Sequence, residues 1–242
     1  MGKIIVIEGT DGSGKQTQSN LLFESLKSQG VKVLRQSFPN YESPSAAPVK
    51  MYLAGELGEN AKNVDAYQTS AIFAVDRLCT MMKYKKFLEE GGVLILDRYV
   101  QSNMIHQAGK ISDLKERDRF LDWLNDFEFG DLKLPKADLV LFLDVPVDVS
   151  QRLAKERGAL KNGEKKDIHE QDENHLKEAY GSAKYVAKKF GWKTIGCVDE
   201  NDDLKSIDEI HELILNKVIN KLYGKAIDRR KNICYNFKKG GR

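Results

Sequence analysis

Residues 4–15 read IIVIEGTDGSGK: four apolar residues, then a glycine-rich turn that ends in a lysine. The apolar run is typical of a buried strand, and residues 16–27 continue as an amphipathic helical segment. A strand, the pattern G-x-x-x-x-G-K and a helix in this order are typical of a phosphate-binding loop. Its backbone N–H groups and the helix N-terminus favour a phosphate, and Lys15 adds a full positive charge. The stretch therefore predicts a nucleoside triphosphate site and phosphoryl chemistry. The residues predicted to contact the triphosphate are Gly9, Thr10, Asp11, Gly12, Ser13, Gly14, Lys15, Gln16 and Thr17.

The position after the lysine departs from the usual pattern, because Gln16 stands where such loops carry a Ser or Thr ligand for magnesium. Gln16 offers an amide oxygen or acts through water, and Thr17 is the alternative ligand. The sequence leaves this choice open. Asp97 follows the apolar run at residues 93–96 and is expected to hold magnesium through water. We therefore predict Gln16 and Asp97 as the metal site.

Composition is that of a single globular domain, with 242 residues of which 41% are hydrophobic. The formal net charge is +3, but residues 224–242 hold seven Lys or Arg against one Asp, so the rest of the chain carries −3. We therefore expect no general nucleic-acid-binding face. The basic tail is either a solvated terminus or a contact for an acidic partner.

The three cysteines, Cys79, Cys197 and Cys234, lie far apart and fit no metal-binding spacing. Their odd number predicts reduced thiols and a cytoplasmic location. No run of 18 apolar residues occurs, so no membrane span is expected.

Strand-like and helix-like segments alternate along the chain. The strands are expected at residues 4–7, 32–36, 93–97, 139–144 and 192–198, and the helices at 16–27, 67–88, 112–127, 147–157, 176–190 and 204–222. Strands this apolar, separated by helices, predict an α/β fold with a parallel five-stranded sheet and helices on both faces. Ligands of such sheets bind beyond the carboxyl ends of the strands. Residues 158–169 are polar and contain glycine, which predicts a mobile loop.

Asp97 and Arg98 place an acid and a base side by side at one carboxyl strand end. Arg98 is suited to bind a phosphate through two parallel hydrogen bonds. Together with the loop, the pair favours a small kinase over a switch or a motor.

In several segments the chain resembles the thymidylate kinases, which belong to the nucleoside monophosphate kinases. The matching segments are EGTDGSGKQTQ at 8–18, FPNY at 38–41, FAVDR at 73–77, DRYVQSN at 97–103 and LDVP at 143–146. The resemblance covers residues 3 to about 222. It implies the P-loop nucleotide kinase fold over a single domain, residues 1–223, with a mobile lid near 155–170. It also implies transfer of the ATP γ-phosphate to dTMP with Mg²⁺, and a homodimer.

The resemblance assigns roles at the acceptor site. Phe73 would stack on the thymine, and Arg77, one helical turn later, would reach its carbonyl edge. Asn103 would bond the imide, while Arg98 and Tyr41 would hold the acceptor phosphate. His106 stands where the family often has an aromatic residue beside the deoxyribose, and the alternative is a structural histidine. Ser102 belongs to the predicted acceptor set, and the alternative is a polar group at a helix start. The full predicted acceptor set is Asp11, Phe38, Pro39, Tyr41, Phe73, Arg77, Arg98, Ser102, Asn103 and His106.

The family carries its catalytic arginine either in the phosphate loop or in the lid. Here Gly12 stands at the loop position, so Arg152 and Arg157 are the candidates, assisted by Lys161, Lys165 and Lys166. No nucleophile or general base is required, because phosphoryl transfer depends mainly on positioning and charge neutralisation. The predicted catalytic residues are Asp11, Lys15, Arg98, Arg152 and Arg157.

Two other interpretations remain open. One keeps the chemistry and changes the acceptor to another deoxynucleotide or a nucleoside. The other is a nucleotide-binding switch or scaffold with little turnover, in which Gln16 weakens catalysis and the tail binds a partner.

Overall fold

The computed structural model describes residues 2–58, 60, 63–152 and 173–224. Five strands form one sheet: β1 (Lys3–Glu8), β2 (Val33–Ser37), β3 (Val93–Asp97), β4 (Leu139–Asp144) and β5 (Lys193–Gly196). Their order is β2-β3-β1-β4-β5, and every pairing is parallel. The parallel five-stranded sheet predicted from the apolar runs is confirmed.

Helices connect the strands, as parallel pairing requires. They are α1 (Lys15–Ser28), α2 (Ala47–Leu53), α3 (Ala66–Met81), α4 (Lys85–Glu89), α5 (Val100–Gly109), α6 (Leu114–Asn125), α7 (residues 147–152 of the described part), α8 (Glu173–Lys189) and α9 (Ile207–Tyr223). Within the described ranges, no helix is both long and apolar enough to cross a bilayer.

Alternate residues of the central strands face opposite sides of the sheet and build two cores. Ile4 and Val6 of β1 pack into the core that contains α5, α6 and α8. Ile5 and Ile7 pack into the core that contains α1 and α9. The near-continuous apolar runs of β1, β3 and β4 are therefore explained by burial on both faces, because neither face of these strands meets water.

The carboxyl ends of β1, β2 and β3 lie in register. Ile7 pairs with Asp97, and Asp97 pairs with Ser37. The segments that follow β1, β2 and β3 therefore leave the sheet side by side at one edge, where open α/β sheets bind ligands.

Several helices differ in extent from the sequence prediction. The single helix expected at residues 67–88 is broken, since α3 ends at Met81 and a 3₁₀ turn, Met82–Tyr84, precedes α4. The helix expected at 112–127 begins later, because Asp113 caps α6 by accepting from the N–H groups of Lys115 and Glu116. It then widens into a π-helical turn, Asp126–Asp131.

The remaining predicted bounds shift by a few residues, with the fifth strand shortened to Lys193–Gly196. The helix predicted at 147–157 is present up to residue 152, and its last five residues lie outside the described ranges. So do the predicted loop at 158–169 and all of the basic tail after Gly224.

Candidate active site

The loop between β1 and α1 closes on itself through Lys15. Its Nζ donates to the carbonyl oxygen of Thr10 at 2.7 Å, and Ser13 N–H donates to the same oxygen at 3.2 Å. The buried hydroxyls of Thr10 and Ser13 have no hydrogen-bond partner among the described residues. A loop with unpaired donors at the start of a 14-residue helix is suited to an anionic ligand.

Burial lowers the pKa of Lys15 to about 8, and the nearby Arg98 acts in the same direction. The carboxylates of Asp11, Asp97 and Glu8 oppose this shift. Lys15 is thus a largely desolvated cation, and its charged form is stabilised when a ligand brings negative charge beside it.

Gly12 occupies a position that no side chain can share. Its φ is +80°, and a Cβ there would lie 2.6 Å from the carbonyl oxygen of Ser150. The loop therefore contacts α7 directly through backbone. This contact gives the physical reason why an arginine is not tolerated at this loop position.

Asp97 lies at the end of β3, with its Oδ2 3.9 Å from Nη1 of Arg35. Gln16 is exposed in the first turn of α1, and Thr17 is partly buried beside it. Within residues 2–58, 60, 63–152 and 173–224, no three His, Cys, Asp or Glu side chains cluster to hold a metal ion. Mg²⁺ in kinases takes one or two carboxylates together with substrate phosphates and waters, so these oxygen donors fit it.

Arg98 adopts a strained backbone conformation, with φ +67°. Its Nη2 forms an ion pair with Oδ1 of Asp11, and its Nη1 lies 3.3 Å from Nε2 of His106. Although burial alone would lower it, the pKa of Arg98 is raised above its ordinary value by the carboxylates of Asp11, Glu8 and Asp97. Arg98 is therefore a fixed positive charge beside the phosphate loop.

Glu8 holds the turn that presents Arg98. The carboxylate is fully buried and accepts from Tyr99 N–H at 3.0 Å and from Ser102 Oγ–H at 2.8 Å. Burial raises the pKa of Glu8, opposed by Arg98 and these hydrogen bonds. The sequence motifs contain Glu8 and Ser102 but do not reveal that they bond each other.

An open cavity begins beside the phosphate loop. All ten residues of the predicted acceptor set line it, so the structure brings them together, while their individual roles stay predictions. The lining residues that the sequence reasoning did not single out are Leu53, Asp76, Tyr99 and Gln107. The side-chain oxygen of Gln107 is buried there without a partner in the described part of the chain.

The walls of the cavity are aromatic. Phe38 packs against Tyr99 with ring centroids 5.9 Å apart, and the Phe38–Pro39 bond is cis. Phe73 meets Tyr52 edge to face at 6.0 Å. Flat apolar walls of this kind suit a flat ring in the ligand.

Asp76 ties the Phe38–Tyr41 segment to α3. Its carboxylate accepts from Asn40 N–H at 2.8 Å and from Ser45 Oγ–H at 2.7 Å. Arg77, the next residue of α3, lies at the floor of the cavity. The same helix therefore positions both the wall formed by the Phe38–Tyr41 segment and the floor. Asp76 was not predicted as a site residue, although it stands inside the FAVDR segment at 73–77.

Buried polar side chains form the floor of the cavity and its support. Arg77 donates through Nε and Nη2 to the two carboxylate oxygens of Glu128, at 2.7 and 2.6 Å. Asn103 donates through Nδ2 to Glu128 at 3.1 Å and to the Ser70 carbonyl oxygen at 3.2 Å. Glu128 lies in the π-helical turn and was missed, because nothing in the sequence links it to residues 51 and 25 positions away.

The lid side of the site is only partly described. Arg152 is exposed on α7. Arg157, Lys161, Lys165 and Lys166 lie outside the described residues, so their predicted roles remain predictions. Asp11 of the phosphate loop forms an ion pair with Arg98, and both residues line the cavity. The phosphate loop and the cavity are therefore adjacent.

Comparison with known proteins gives one consistent family. A family model described as thymidylate kinase matches residues 7–204. The thymidylate kinase of Mycobacterium tuberculosis (strain ATCC 25618 / H37Rv) is 30% identical over 198 residues, which cover 80% of this chain and 91% of that protein. That of Plasmodium falciparum (isolate 3D7) is 30% identical over 217 residues, 90% of each chain. A probable thymidylate kinase of Pyrococcus abyssi (strain GE5 / Orsay) is 31% identical over 230 residues, 92% of this chain and 98% of that protein.

Proposed function

We infer that this chain, which belongs to the thymidylate kinase family, phosphorylates dTMP to dTDP with ATP as the phosphoryl donor. It is an ATP-dependent nucleoside monophosphate kinase, a transferase of nucleotide biosynthesis. The observation that supports this function best is the Arg98–Asp11 pair, at which the phosphate loop opens into the aromatic-walled cavity.

For the donor, we propose that the loop N–H groups and Lys15 bind the ATP phosphates. The unpaired hydroxyls of Thr10 and Ser13 add further polar groups there. Mg²⁺, held by Asp97 and Gln16 or by Thr17 in its place, would supply charge neutralisation at the phosphates when it is bound.

For the acceptor, the proposed position puts the pyrimidine ring between the cavity walls, with its polar edge on Arg77 and Asn103. Arg98 and Tyr41 bind its phosphate, and Asp11 lies near the sugar 3′-hydroxyl. The deoxyribose lies beside Phe38, Pro39 and His106, with Ser102 below. This arrangement brings the acceptor phosphate to the loop, which is what in-line transfer requires.

We further propose that Arg157 or Arg152 stabilises the transferring phosphoryl group, because Gly12 leaves no room for an arginine in the loop. We also propose a homodimer and a cytoplasmic location. The family supports the first, and the unpaired thiols of Cys79 and Cys197 are consistent with the second.

The test is ADP release with Mg-ATP against dTMP, dUMP, dCMP, dGMP, AMP and thymidine. We expect turnover with dTMP well above that with the other acceptors. Preferred turnover with a different acceptor would retain phosphoryl transfer and refute the roles given to Phe73, Arg77 and Asn103. Binding of ATP without turnover on any acceptor would favour the switch or scaffold interpretation.

A further inference from the structure

The Arg77–Glu128 ion pair is unusual in being almost entirely removed from water. The side chain of Arg77 is 2% exposed and that of Glu128 is 0% exposed. Desolvating two charges costs about as much free energy as their attraction returns, so such a pair is weak evidence of a device for stability. Arg77 lines the cavity whereas Glu128 lies behind it, which suggests that the pair serves the ligand.

Glu128 fixes the position of the guanidinium. It accepts from Nε and Nη2 in the two-pronged geometry that restrains an arginine most strongly. Two of the five N–H groups of Arg77 are used in this way, and the other three remain as donors. Arg77 therefore presents hydrogen-bond donors, and no acceptor, wherever it borders the cavity.

Glu128 also decides the orientation of the Asn103 amide. Both hydrogens of Nδ2 are directed at acceptors, namely Oε1 of Glu128 and the carbonyl oxygen of Ser70. A flipped amide would place Oδ1 against a carboxylate and a carbonyl, which repel it. The amide that borders the cavity is thus held with its carbonyl oxygen, an acceptor, as the group not committed to the floor.

The two restraints together define a polar edge with donors from Arg77 and an acceptor from Asn103. The 4-oxo pyrimidine edge of thymine and uracil carries the complementary pattern, a carbonyl oxygen at position 4 and an N–H at position 3. Cytosine has the reverse pattern, an amino group at position 4 and a bare ring nitrogen at position 3.

We propose that Glu128 is a positioning residue that sets the donor and acceptor polarity of the base-reading edge, and so makes the acceptor site select 4-oxo over 4-amino pyrimidines. This inference rests on the acceptor site proposed above and adds a residue that does not touch the substrate. Glu128 acts through Arg77 and Asn103 and takes no part in the transfer itself.

Two variants test the proposal. Glu128→Gln keeps the size but puts an NH₂ group where a carboxylate oxygen accepted. In either orientation this NH₂ group opposes Arg77, which donates to both oxygens of Glu128. Where it replaces Oε1 it also opposes the Asn103 amide, and Asn103 then turns its own NH₂ towards the cavity. Glu128→Asp keeps the charge that compensates Arg77 but retracts the carboxylate by about one methylene, so that it cannot hold both partners in place. The aspartate variant is the decisive one if the glutamine variant does not fold.

The matched control is Ile214→Ala in α9, a fully buried residue in the core on the other face of the sheet from α6. It is expected to lower the melting temperature without touching Glu128, Arg77 or Asn103. The measurements are kcat and KM for dTMP and dCMP, KM for ATP, and the melting temperature of each variant.

We expect the ratio of kcat/KM for dTMP over dCMP to fall by roughly ten- to hundredfold in both Glu128 variants, mainly through KM for dTMP. KM for ATP should stay within about twofold, since Glu128 makes no contact with the loop. The control should have a lower melting temperature and the wild-type ratio of kcat/KM for dTMP over dCMP.

A folded Glu128→Asp enzyme with the wild-type ratio would overturn the inference. A control that loses selectivity to the same degree would also overturn it, because the effect would then follow from loss of stability. Absence of dTMP turnover in the wild type would instead contradict the proposed function.

Discussion

Lys15 shows how burial of a single side chain can make ligand binding depend on pH. Its pKa is lowered to about 8, first by burial and then by Arg98. Bound triphosphate brings negative charge beside Nζ and favours the protonated form, so the pKa is higher in the complex than in the free protein. Between these two pKa values, binding must take up a proton.

The dissociation constant for ATP is therefore expected to rise above pH 8, by up to about tenfold per pH unit, and to be flat below it. Calorimetric titration between pH 7 and 9.5 in buffers of different ionisation enthalpy measures both the affinity and the proton uptake. Lys15→Arg is the control, since a guanidinium stays charged over this range and should remove the dependence. A pH dependence that persists in Lys15→Arg would assign the proton to another group.

The residues of the site differ in how well a sequence reveals them. Lys15, Arg98 and Asn103 stand in motifs whose order and spacing identified the family, and the structure places them around one site. Glu128, Asp76 and Gln107 act through partners that only the fold brings near. A carboxylate 51 residues from Arg77 gives no local sign that it will pair with it. Long-range polar pairing is decided by tertiary structure, and so it escapes pattern reasoning.

At the scale of elements, Lys110 joins the end of α5 to the corner between α2 and α3. Its Nζ donates to the carbonyl oxygen of Val64 at 3.0 Å, to Thr69 Oγ1 at 3.1 Å and to Tyr52 Oη at 3.3 Å. Tyr52 in turn packs against Phe73, a wall of the cavity. Burial lowers the pKa of Lys110 to about 8, opposed by Asp65. Lys110 thus positions a wall of the cavity without lining it.

Lys110→Met keeps the apolar stem and removes the three donated hydrogen bonds. We expect a loss of about 1–2 kcal/mol in the free energy of unfolding, or roughly 2–8 °C in melting temperature, because a buried carbonyl is left without its charged donor. KM for dTMP should rise by roughly three- to tenfold with little change in kcat, since Phe73 is displaced while the phosphate contacts remain.

Steady-state kinetics and thermal denaturation measure both effects, and Lys115→Met, on the exposed side of α6, is the matched control. A lower melting temperature with an unchanged KM for dTMP would show that Lys110 supports the fold alone.

Element type was predictable where one physical signal dominated, and element bounds were not. The strands with both faces buried, β1, β3 and β4, stand out as apolar runs. The break after Met81 has no glycine or proline to mark it, so residues 67–88 gave the pattern of one helix. The π-helical turn carries no sequence pattern of its own, although it is the element that places Glu128 against Arg77 and Asn103 behind the cavity.

At the scale of the whole molecule, the register of the sheet builds the site. Pairing of Ile7 with Asp97 and of Asp97 with Ser37 brings three connections to one edge, and each supplies a different part. The first supplies the phosphate loop, the second supplies Phe38 and its neighbours, and the third supplies Arg98. None of these parts comes from beyond α9, which ends at Tyr223.

Removal of residues 225–242 is therefore expected to leave catalysis intact. The described core is complete by α9, which packs against α1, β4 and β5 and buries Ile210, Ile214 and Val218. The family match ends at residue 204. The net charge of the shortened chain changes from +3 to −3, because the removed segment carries seven Lys or Arg and one Asp.

We expect kcat/KM for dTMP within about twofold of wild type and a melting temperature within about 2 °C, as for surface changes away from packed elements. Kinetics, thermal denaturation and sedimentation of both forms at two salt concentrations test this, with salt separating general charge effects from specific ones. A tenfold loss of kcat/KM at both salt concentrations would make the tail part of the catalytic unit. Intact catalysis, together with the loss of an association that sedimentation detects in the full chain, would favour a role for the tail in binding an acidic partner.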